Sequence, residues 1–252
     1  MYNVSQRKWG TIKSFFKSIK RIVTLIIVVI IFIVGYFTKQ GYDLYRSNME
    51  ELSLDLRVKN LKEQENYIKL EDISKDYLNA VIAVEDKRFY EHKGIDPYAL
   101  FGATYYNIKG KRFAFGGSTI SQQLAKNLCL DQSKNINRKI AEIFATIDIE
   151  KNYSKDEILE MYVNIAYFGD GFYGIGDASY GYFKKYPNEL NLNESTLLAG
   201  LPNAPSIFQL SNNYDSTYQR QIIVIEAMMR NGYVDEVVGN QLIEQIKNER
   251  GM

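Results

Sequence analysis

The stretch that decides the fold class is SKDYLNAVIAVE, residues 74–85. Ser74 can cap the start of a helix, because its hydroxyl can accept a hydrogen bond from a free backbone N–H of the first turn. Leu78, Val81 and Ile82 then follow the 3.6-residue period of a helix with one apolar face. The segment therefore predicts an amphipathic helix that packs on a core.

The same start and stop signals recur along the chain, and no run of alternating strand residues competes with them. The signals are Asp96 before Pro97, a capping box of Ser154 and Glu157, a helix over 217–231 stopped by Gly232, and a last helix from about Asp235 to Asn248. The predicted fold class is mainly α.

The composition is that of a globular protein, with 31 basic and 30 acidic residues among 252 and an apolar share of 46%. A single cysteine excludes an internal disulfide and a cysteine-rich zinc site, and a single histidine excludes a histidine cluster. Any metal would therefore have to be held by oxygen ligands.

The N-terminal region has the pattern of a membrane anchor. Residues 1–21 contain six basic and no acidic side chains, and residues 22–38 contain no charge. Seventeen helical residues extend about 25 Å, near the lower limit for a membrane span. A cleaved signal peptide and a buried core helix are the alternatives, but Tyr36 and Phe37 resemble an interfacial aromatic belt rather than a cleavage site.

This pattern predicts four parts of the chain. They are a cytoplasmic basic arm (1–21), a transmembrane anchor (22–38), a membrane-proximal connecting segment (39–69) and a folded domain (70–252). The positive-inside rule places the N-terminus in the cytoplasm and the folded domain on the other side of the membrane.

Glu85 ends the apolar stripe of the 74–85 helix, which is an unusual position for a carboxylate. In one interpretation it turns to water at the helix end or pairs with Lys87 or Arg88. In the other it is a partly desolvated glutamate suited to act as a general base.

A two-glycine turn leads into a second helix in GGSTISQQLAKN, residues 116–127. Ser118 or Thr119 caps this helix, and its free N–H groups suit an anion such as a phosphate. Gln122, Gln123 and Lys126 lie on its polar side. No GKS or GKT follows, so the turn is not a Walker loop.

Positive charge is concentrated between residues 103 and 139, where seven basic side chains accompany Asp131 as the only acid. This segment is either a surface that leans on anionic lipids or a site for a phosphorylated substrate. Arg138 and Glu142 form an i, i+4 pair at its end. That pair is either a surface salt bridge or a carboxylate held among cations, which could bind a divalent metal on a pyrophosphate.

Five separated segments resemble, in order and spacing, the motifs of glycosyltransferase family 51, the peptidoglycan glycosyltransferases. The segments are EDKRFYEHKGID (85–96), GGSTISQQLAKN (116–127), RKIAE (138–142), KDEILEMYVNIAYFGDGFYGI (155–175) and ESTLLAGLPNAP (194–205). The resemblance covers residues 70–230. It implies a lysozyme-like helical domain with a small membrane-facing jaw, which polymerises lipid II into glycan strands and releases undecaprenyl pyrophosphate.

The resemblance also implies roles for individual residues. Glu85 matches the general base that takes the proton of the acceptor's 4-hydroxyl, and Glu142 matches a second acidic position that supports the pyrophosphate through a divalent metal or by holding neighbouring cations. The residues that match substrate-binding positions are Ser118, Thr119, Gln122, Gln123, Lys126, Arg138, Lys139 and, more loosely, Lys134. His92 is expected to be a structural hydrogen-bonding residue.

The resemblance implies no obligatory cofactor, with Mg²⁺ or Mn²⁺ at Glu142 as the open question. The implied partners are lipid II, the growing glycan, the bacterial plasma membrane and other proteins of cell-wall synthesis or division, with no nucleic acid. A lytic glycoside cleaver and a non-catalytic scaffold are the alternatives. Bifunctional members of this family carry a transpeptidase domain after the glycosyltransferase domain. The SxxK patterns at Ser5 and Ser14 lie in the basic arm and have no KTG motif downstream, and the chain stops about 20 residues after Gly232, so a monofunctional enzyme is expected.

Overall fold

A computed structural model describes residues 2–100, 102, 117–131, 133, 135–208, 210–211 and 214–250. Within these ranges the chain forms helices and turns, with no β-strand beyond one isolated bridge between Tyr167 and Tyr173. The predicted mainly α class is confirmed. The lysozyme-like arrangement and the small jaw stay predictions of the resemblance.

The first helix, α1 (Tyr2–Glu51), is continuous through the apolar run and well beyond it. It is the one helix among the described residues that is long and apolar enough to cross a membrane, and its apolar stretch is not buried against the rest of the chain. A buried core helix is therefore excluded for residues 22–38. The connecting segment predicted from residue 39 begins as a direct continuation of this helix.

Ten further α-helices have bounds that lie within the described residues. They are α2 (Leu54–Lys62), α3 (Lys75–Glu85), α4 (Ile120–Cys129), α5 (Ile136–Asn152), α6 (Lys155–Ile165), α7 (Gly174–Phe183), α8 (Leu192–Gly200), α9 (Pro205–Phe208), α10 (Tyr214–Arg230) and α11 (Glu236–Arg250). Leu54, Val58 and Leu61 of α2 belong to the main core, so part of the predicted connecting segment packs with the domain.

Local capping explains where the helices that carry the site begin. Thr119, not Ser118, caps α4 and forms a reciprocal capping box with Gln122. Ser154 and Glu157 form the predicted capping box of α6. Ser74 occupies the N-cap position of α3, but its side chain accepts no capping hydrogen bond, so that part of the prediction is wrong. Each side-chain cap typically contributes about 1 kcal/mol.

Two groups of helices meet at the end of α3. Helices α3, α8 and α10 pack on one another, while α4 packs against α5 and α6. One apolar core runs through both groups and includes the fully buried rings of Tyr77, Phe89, Tyr162 and Phe168. The last residue of α3, Glu85, therefore lies at the junction of the two groups.

Candidate active site at the end of helix α3

The side chain of Glu85 is buried, with only 4% of it exposed. Its Oε1 accepts a hydrogen bond from Nη2 of Arg220 at 3.0 Å, and its Oε2 accepts one from Nε2 of Gln123 at 2.8 Å. The interpretation that Glu85 turns to water or pairs with Lys87 or Arg88 is wrong. Because the Arg220 guanidinium compensates its charge, a carboxylate can be kept at this buried position.

Arg220 reaches Glu85 from α10 and is itself only 10% exposed. Sequence reasoning missed it, although a signal was present. Arg220 precedes Val224, Ala227 and Met228 at helical spacing, and all three are buried. A lone arginine therefore ends the apolar stripe of α10, as Glu85 ends that of α3, and the two charges meet where the helices pack.

Gln123 is oriented by a third side chain. The hydroxyl of Tyr162 donates to Oε1 of Gln123 at 3.3 Å, which leaves Nε2 of the same amide to face Glu85. Complete burial raises the pKa of Tyr162 well above its ordinary value, so its hydroxyl stays protonated as a donor. These two hydrogen bonds, from Tyr162 to Gln123 and from Gln123 to Glu85, thus fix the position of one carboxylate oxygen.

A second set of contacts joins the segment after Glu85 to the start of α4. Asp86 accepts a hydrogen bond from the backbone N–H of Ile120 at 3.0 Å and lies 2.9 Å from Nε2 of His92. The N–H of Gly94 donates to Nδ1 of His92, so the neutral ring carries its proton on Nε2 and donates to Asp86. This supports the structural role expected for His92.

Gly94 closes this turn in a conformation that favours glycine, with a φ of +86°. A Cβ there would lie 2.7 Å from Cγ2 of Thr146 on α5. The carbonyl oxygen of Gly94 accepts a hydrogen bond from the hydroxyl of Thr119 at 2.5 Å. The predicted anion-binding residue Thr119 therefore uses its side chain within the protein.

The cations at the start of α5 surround one carboxylate. Glu142 is almost fully buried, with 2% of its side chain exposed. Its Oε2 accepts a hydrogen bond from Nη1 of Arg138 at 2.8 Å. Nζ of Lys139 contacts Oε1 of Glu142 and also lies 3.1 Å from Oγ of Ser118. The alternative of a surface salt bridge between Arg138 and Glu142 is therefore wrong.

Lys126 adds a third cation from α4. Burial is the main cause that lowers its pKa, and repulsion by Arg138 and Lys139 lowers it further, while attraction by Glu142 offsets part of this effect. No ion pair of Lys126 occurs within the part of the chain that the structure describes. Three cations around one carboxylate leave the cluster with excess positive charge.

These groups line a cavity of about 320 Å³. The cavity brings together most of the residues predicted for the site: Glu85, Ser118, Gln122, Gln123, Lys126, Arg138, Lys139 and Glu142. Oε1 of Gln122 is already engaged by the backbone N–H of Thr119 in the capping box. Lys134 and the basic residues Lys109, Lys111 and Arg112 lie outside the described residues.

A second cavity, of about 490 Å³, shares Glu85 and Ser118 with the first. Asp86, Thr119, Tyr98 and Arg230 also line it. Glu85 thus lines both cavities. Lys87, Arg88 and Arg230 also line the second cavity, where carboxylates balance their charge, whereas cations exceed carboxylates by one in the first. Such an arrangement can hold an anionic group on one side of a carboxylate and a second substrate on the other.

The donor set does not fit a resident divalent cation at Glu142. A Mg²⁺ or Mn²⁺ site needs several oxygen ligands, whereas Glu142 is one carboxylate and two side-chain cations already contact it, which would repel a metal ion. No group of three or more potential metal ligands occurs among the described residues. In the structure the Glu142 side chain contacts Arg138 and Lys139, and dependence on a divalent cation stays a prediction.

Comparison with known proteins defines the class of this helical domain. The pattern of the transglycosylase family matches residues 55–229, which is most of the chain. The chain belongs to the transglycosylase family. The match begins within α2, in agreement with the packing of that helix in the domain core.

Individual relatives are penicillin-binding proteins. The chain is 38% identical to penicillin-binding protein 1A of Aquifex aeolicus over 73% of its own length and 26% of that protein. It is 43% identical to penicillin-binding protein 1F of Bacillus subtilis, over 66% of its length and 23% of that protein, and 40% identical to penicillin-binding protein 1A of Escherichia coli, over 72% and 21%. The chain thus spans about a quarter or less of these relatives.

Among solved structures, penicillin-binding protein 1A from Haemophilus influenzae matches 70% of this chain and 17% of its own, with a TM-score of 0.42 and 22% identity.

Proposed function

We propose that this chain is a membrane-anchored peptidoglycan glycosyltransferase that joins lipid II units into β-1,4 glycan strands and releases undecaprenyl pyrophosphate. The observation that carries the proposal is the position of the buried Glu85 carboxylate, which lines two cavities, one of them with the cluster of Lys126, Arg138 and Lys139 and an excess of positive charge. Membership of the transglycosylase family supports the same reaction.

In this reaction the anionic leaving group occupies the cationic cavity and the acceptor sugar occupies the other. The acceptor's 4-hydroxyl attacks the anomeric carbon of the donor, and its proton passes to Glu85 acting as general base. Arg220 and Gln123 each engage one oxygen of Glu85, and every carboxylate oxygen keeps a free lone pair for the substrate hydroxyl. The bond from the anomeric carbon to the pyrophosphate oxygen breaks as the new glycosidic bond forms.

The cation cluster explains why no acid is needed for the leaving group. Pyrophosphate departs as an anion, and Lys126, Arg138 and Lys139 can stabilise the charge that develops on it. Their excess positive charge, together with the bound Ser118 hydroxyl, makes the cavity complementary to phosphate oxygens.

The geometry favours transfer over the lytic alternative. A lysozyme-like hydrolase must protonate a sugar alkoxide, which requires a carboxylic acid near the scissile bond. The Glu142 side chain, the other carboxylate of the cation-lined cavity, is instead bound to Arg138 and Lys139, an arrangement that suits the binding of an anionic leaving group. A non-catalytic scaffold, the other alternative, would have no need for a buried Glu85 or for the excess cations beside it.

The test is a product gel with purified full chain and lipid II. A ladder of glycan strands supports the proposal, and it should disappear when Glu85 is replaced by glutamine. Shortening of pre-made glycan with no ladder would point to the lytic alternative. Inactivity in both assays would favour the scaffold.

The proposed location follows from α1 and from the six basic residues before residue 22. The helix crosses the bacterial membrane once, with the N-terminus in the cytoplasm and the catalytic domain outside. A reporter that works only outside the cytoplasm should be active when fused after Asn248 and silent when fused at residue 10. The reverse pattern would overturn this topology.

A further inference from the structure

The part of α1 beyond its apolar run packs along α5, the helix that carries Arg138, Lys139 and Glu142. Residues 22–34 are exposed along the run, but Gly41 is buried and several later residues of α1 are partly buried. The same continuous helix thus provides both the predicted membrane span and one wall behind the cation cluster.

Gly41 is the point of closest approach between these two helices. A Cβ at this position would lie 2.4 Å from Cγ2 and 2.5 Å from Cβ of Ile140, distances that no side chain tolerates without movement. Gly35, six residues earlier in the same helix, has no atom within 4 Å of the equivalent position. The two glycines therefore differ in their surroundings and share their helix.

Aromatic contacts and a hydrogen bond continue the interface one turn further. The rings of Tyr42 and Tyr45 lie 5.2 and 6.0 Å from that of Phe144 on α5. The hydroxyl of Tyr45 donates to Oδ2 of Asp148 at 2.8 Å. Ile140, Phe144 and Asp148 recur every four residues, so one face of α5 contacts α1 throughout.

Arg57 of α2 joins the end of α1 to the end of α4. Its guanidinium donates to the carbonyl oxygens of Asn48 and Leu52 at 2.8 Å, and to that of Leu128 at 3.2 Å. Helix α4 carries Gln123 and Lys126. Both helices that supply the cation cluster are thus attached to α1 outside the apolar run.

We propose that Gly41, Tyr45 and Arg57 form a clamp that positions the cation cluster for the leaving group, so that the part of α1 from Gly41 onward has a positioning role in addition to the anchoring role of the apolar run. This inference rests on the proposed function. Ile140 and Phe144 face the clamp, while Arg138, Lys139 and Glu142 on the same helix line the cavity. A displacement of α5 at the clamp therefore moves the cluster directly.

The clamp also fixes the height of the cluster above the membrane. Gly41 lies three residues past Thr38, the end of the predicted span, or about 4.5 Å along the helix axis. The pyrophosphate of a lipid-linked donor lies at the membrane surface, where its lipid chain enters the bilayer. A cluster attached at Gly41 is held near that level, and a flexible tether could not hold it there.

The test compares Gly41→Ala with Gly35→Ala in the full chain. Both changes bring the same gain in helix propensity, and only the first brings a Cβ against Ile140. Since misplacement of a catalytic group by about 1 Å can cost up to about a hundredfold in rate, we expect Gly41→Ala to lower kcat by about ten- to hundredfold. KM should change less than twofold, and Gly35→Ala should retain wild-type kinetics.

A double-mutant cycle separates positioning from a loss of folded protein. If Gly41 acts through the cluster, Gly41→Ala should cost less than about twofold in an Arg138→Ala background, because the two changes remove the same interaction. A lower fraction of folded protein would instead reduce the rate by the full factor in either background. That result, or equal losses for Gly41→Ala and Gly35→Ala, would overturn the proposal.

Tyr45→Phe is the second variant, for the case that Gly41→Ala does not fold. It removes only the hydroxyl that bonds Asp148 and keeps the ring that packs on Phe144. It should lower kcat about two- to fivefold. Wild-type kinetics for Tyr45→Phe would remove Tyr45 from the clamp.

Hydrogen exchange distinguishes failure of the clamp from failure of the proposed function. Amides of α5 should exchange faster in Gly41→Ala than in Gly35→Ala, whatever reaction the protein catalyses. If wild-type protein yields no glycan ladder while this difference is present, the proposed function fails and the packing role stands. If the exchange of α5 is the same in both variants, the clamp itself is wrong.

Discussion

The guanidinium of Arg220 donates a hydrogen bond of 3.0 Å to Glu85, joining the C-terminal end of α3 to α10 across 135 residues of sequence. Nε of Arg220 is buried with no partner among the described residues. A fully compensated structural pair would satisfy that group as well. The pair is therefore compensated in charge, while one donor of Arg220 has no acceptor among the described residues.

Removal of one partner of this pair should be costly. Arg220→Met leaves the buried carboxylate of Glu85 without its compensating charge, and such a loss typically destabilises a protein by about 3–5 kcal/mol. The double variant Glu85→Gln/Arg220→Met buries no net charge there and should recover much of that stability. Thermal or denaturant unfolding of the single and double variants measures the difference. An Arg220→Met protein as stable as wild type would show that the charges are not coupled.

Loss of the base should affect rate far more than binding. Glu85→Gln keeps the shape of the side chain and can still accept a hydrogen bond from Arg220, but it cannot take a proton. Polymerisation should fall by about 10² to 10⁴, the usual cost of a lost general base, while the affinity for lipid II changes little. Initial rates and lipid II binding should be measured on the same preparation. Near wild-type strand synthesis by folded Glu85→Gln protein would remove Glu85 from this role.

The lowered pKa of Lys126 predicts an unusual pH dependence. Because burial and neighbouring cations disfavour its charged form, Lys126 should lose its proton below the pH at which an ordinary lysine does. If the cation stabilises the leaving group, turnover should decline over the same alkaline range. Lys126→Arg, which stays charged, should shift this decline to higher pH. An identical alkaline limb in the two proteins would assign it to another group.

The same shift has a consequence for stability. Between the folded pKa of Lys126 and its ordinary pKa of 10.5, the unfolded state binds more protons, so stability rises with pH in that window. Below the window the full cost of holding the partly buried cation is present. Lys126→Met should therefore raise the melting temperature at neutral pH while it lowers turnover. A residue that lowers stability but raises activity is expected at a functional site.

The fold class was accessible from sequence because its signals are local. Helix starts depend on caps such as Thr119 and Ser154, and helix faces depend on a period that a few residues reveal. The site was accessible for a different reason, since the family resemblance identified residues that spacing alone left undecided. Glu142 is an example: its i, i+4 partner Arg138 is visible in the sequence, but its burial depends on the helices packed around α5.

Contacts between distant segments were not accessible in this way. Nothing near Glu85 in the sequence indicates Arg220, because their pairing depends on the packing of α3 against α10. The interface of α1 with α5 is similar. Gly41 reads as an ordinary residue after an anchor until the approach of Ile140 makes a glycine necessary there. Such contacts follow from tertiary packing, which local periodicity does not encode.

The remaining prediction separates the cation cluster from a surface patch that attracts anionic lipids. Arg138 is 14% exposed and bound to the buried Glu142, so its charge is poorly screened and should act on the transition state. Arg138→Ala should reduce lipid II turnover much more than it weakens attachment to anionic liposomes, and high salt should not reverse the loss.

The matched changes are Lys109→Ala, Lys111→Ala and Arg112→Ala, in the basic segment before Gly116. If those side chains only attract the membrane or steer substrate, each should contribute on the order of 1 kcal/mol, and its effect should fade as salt is added. Equal and equally salt-sensitive losses for the two sets would mean that the whole segment is a surface patch, and Arg138 would no longer be assigned to the leaving group.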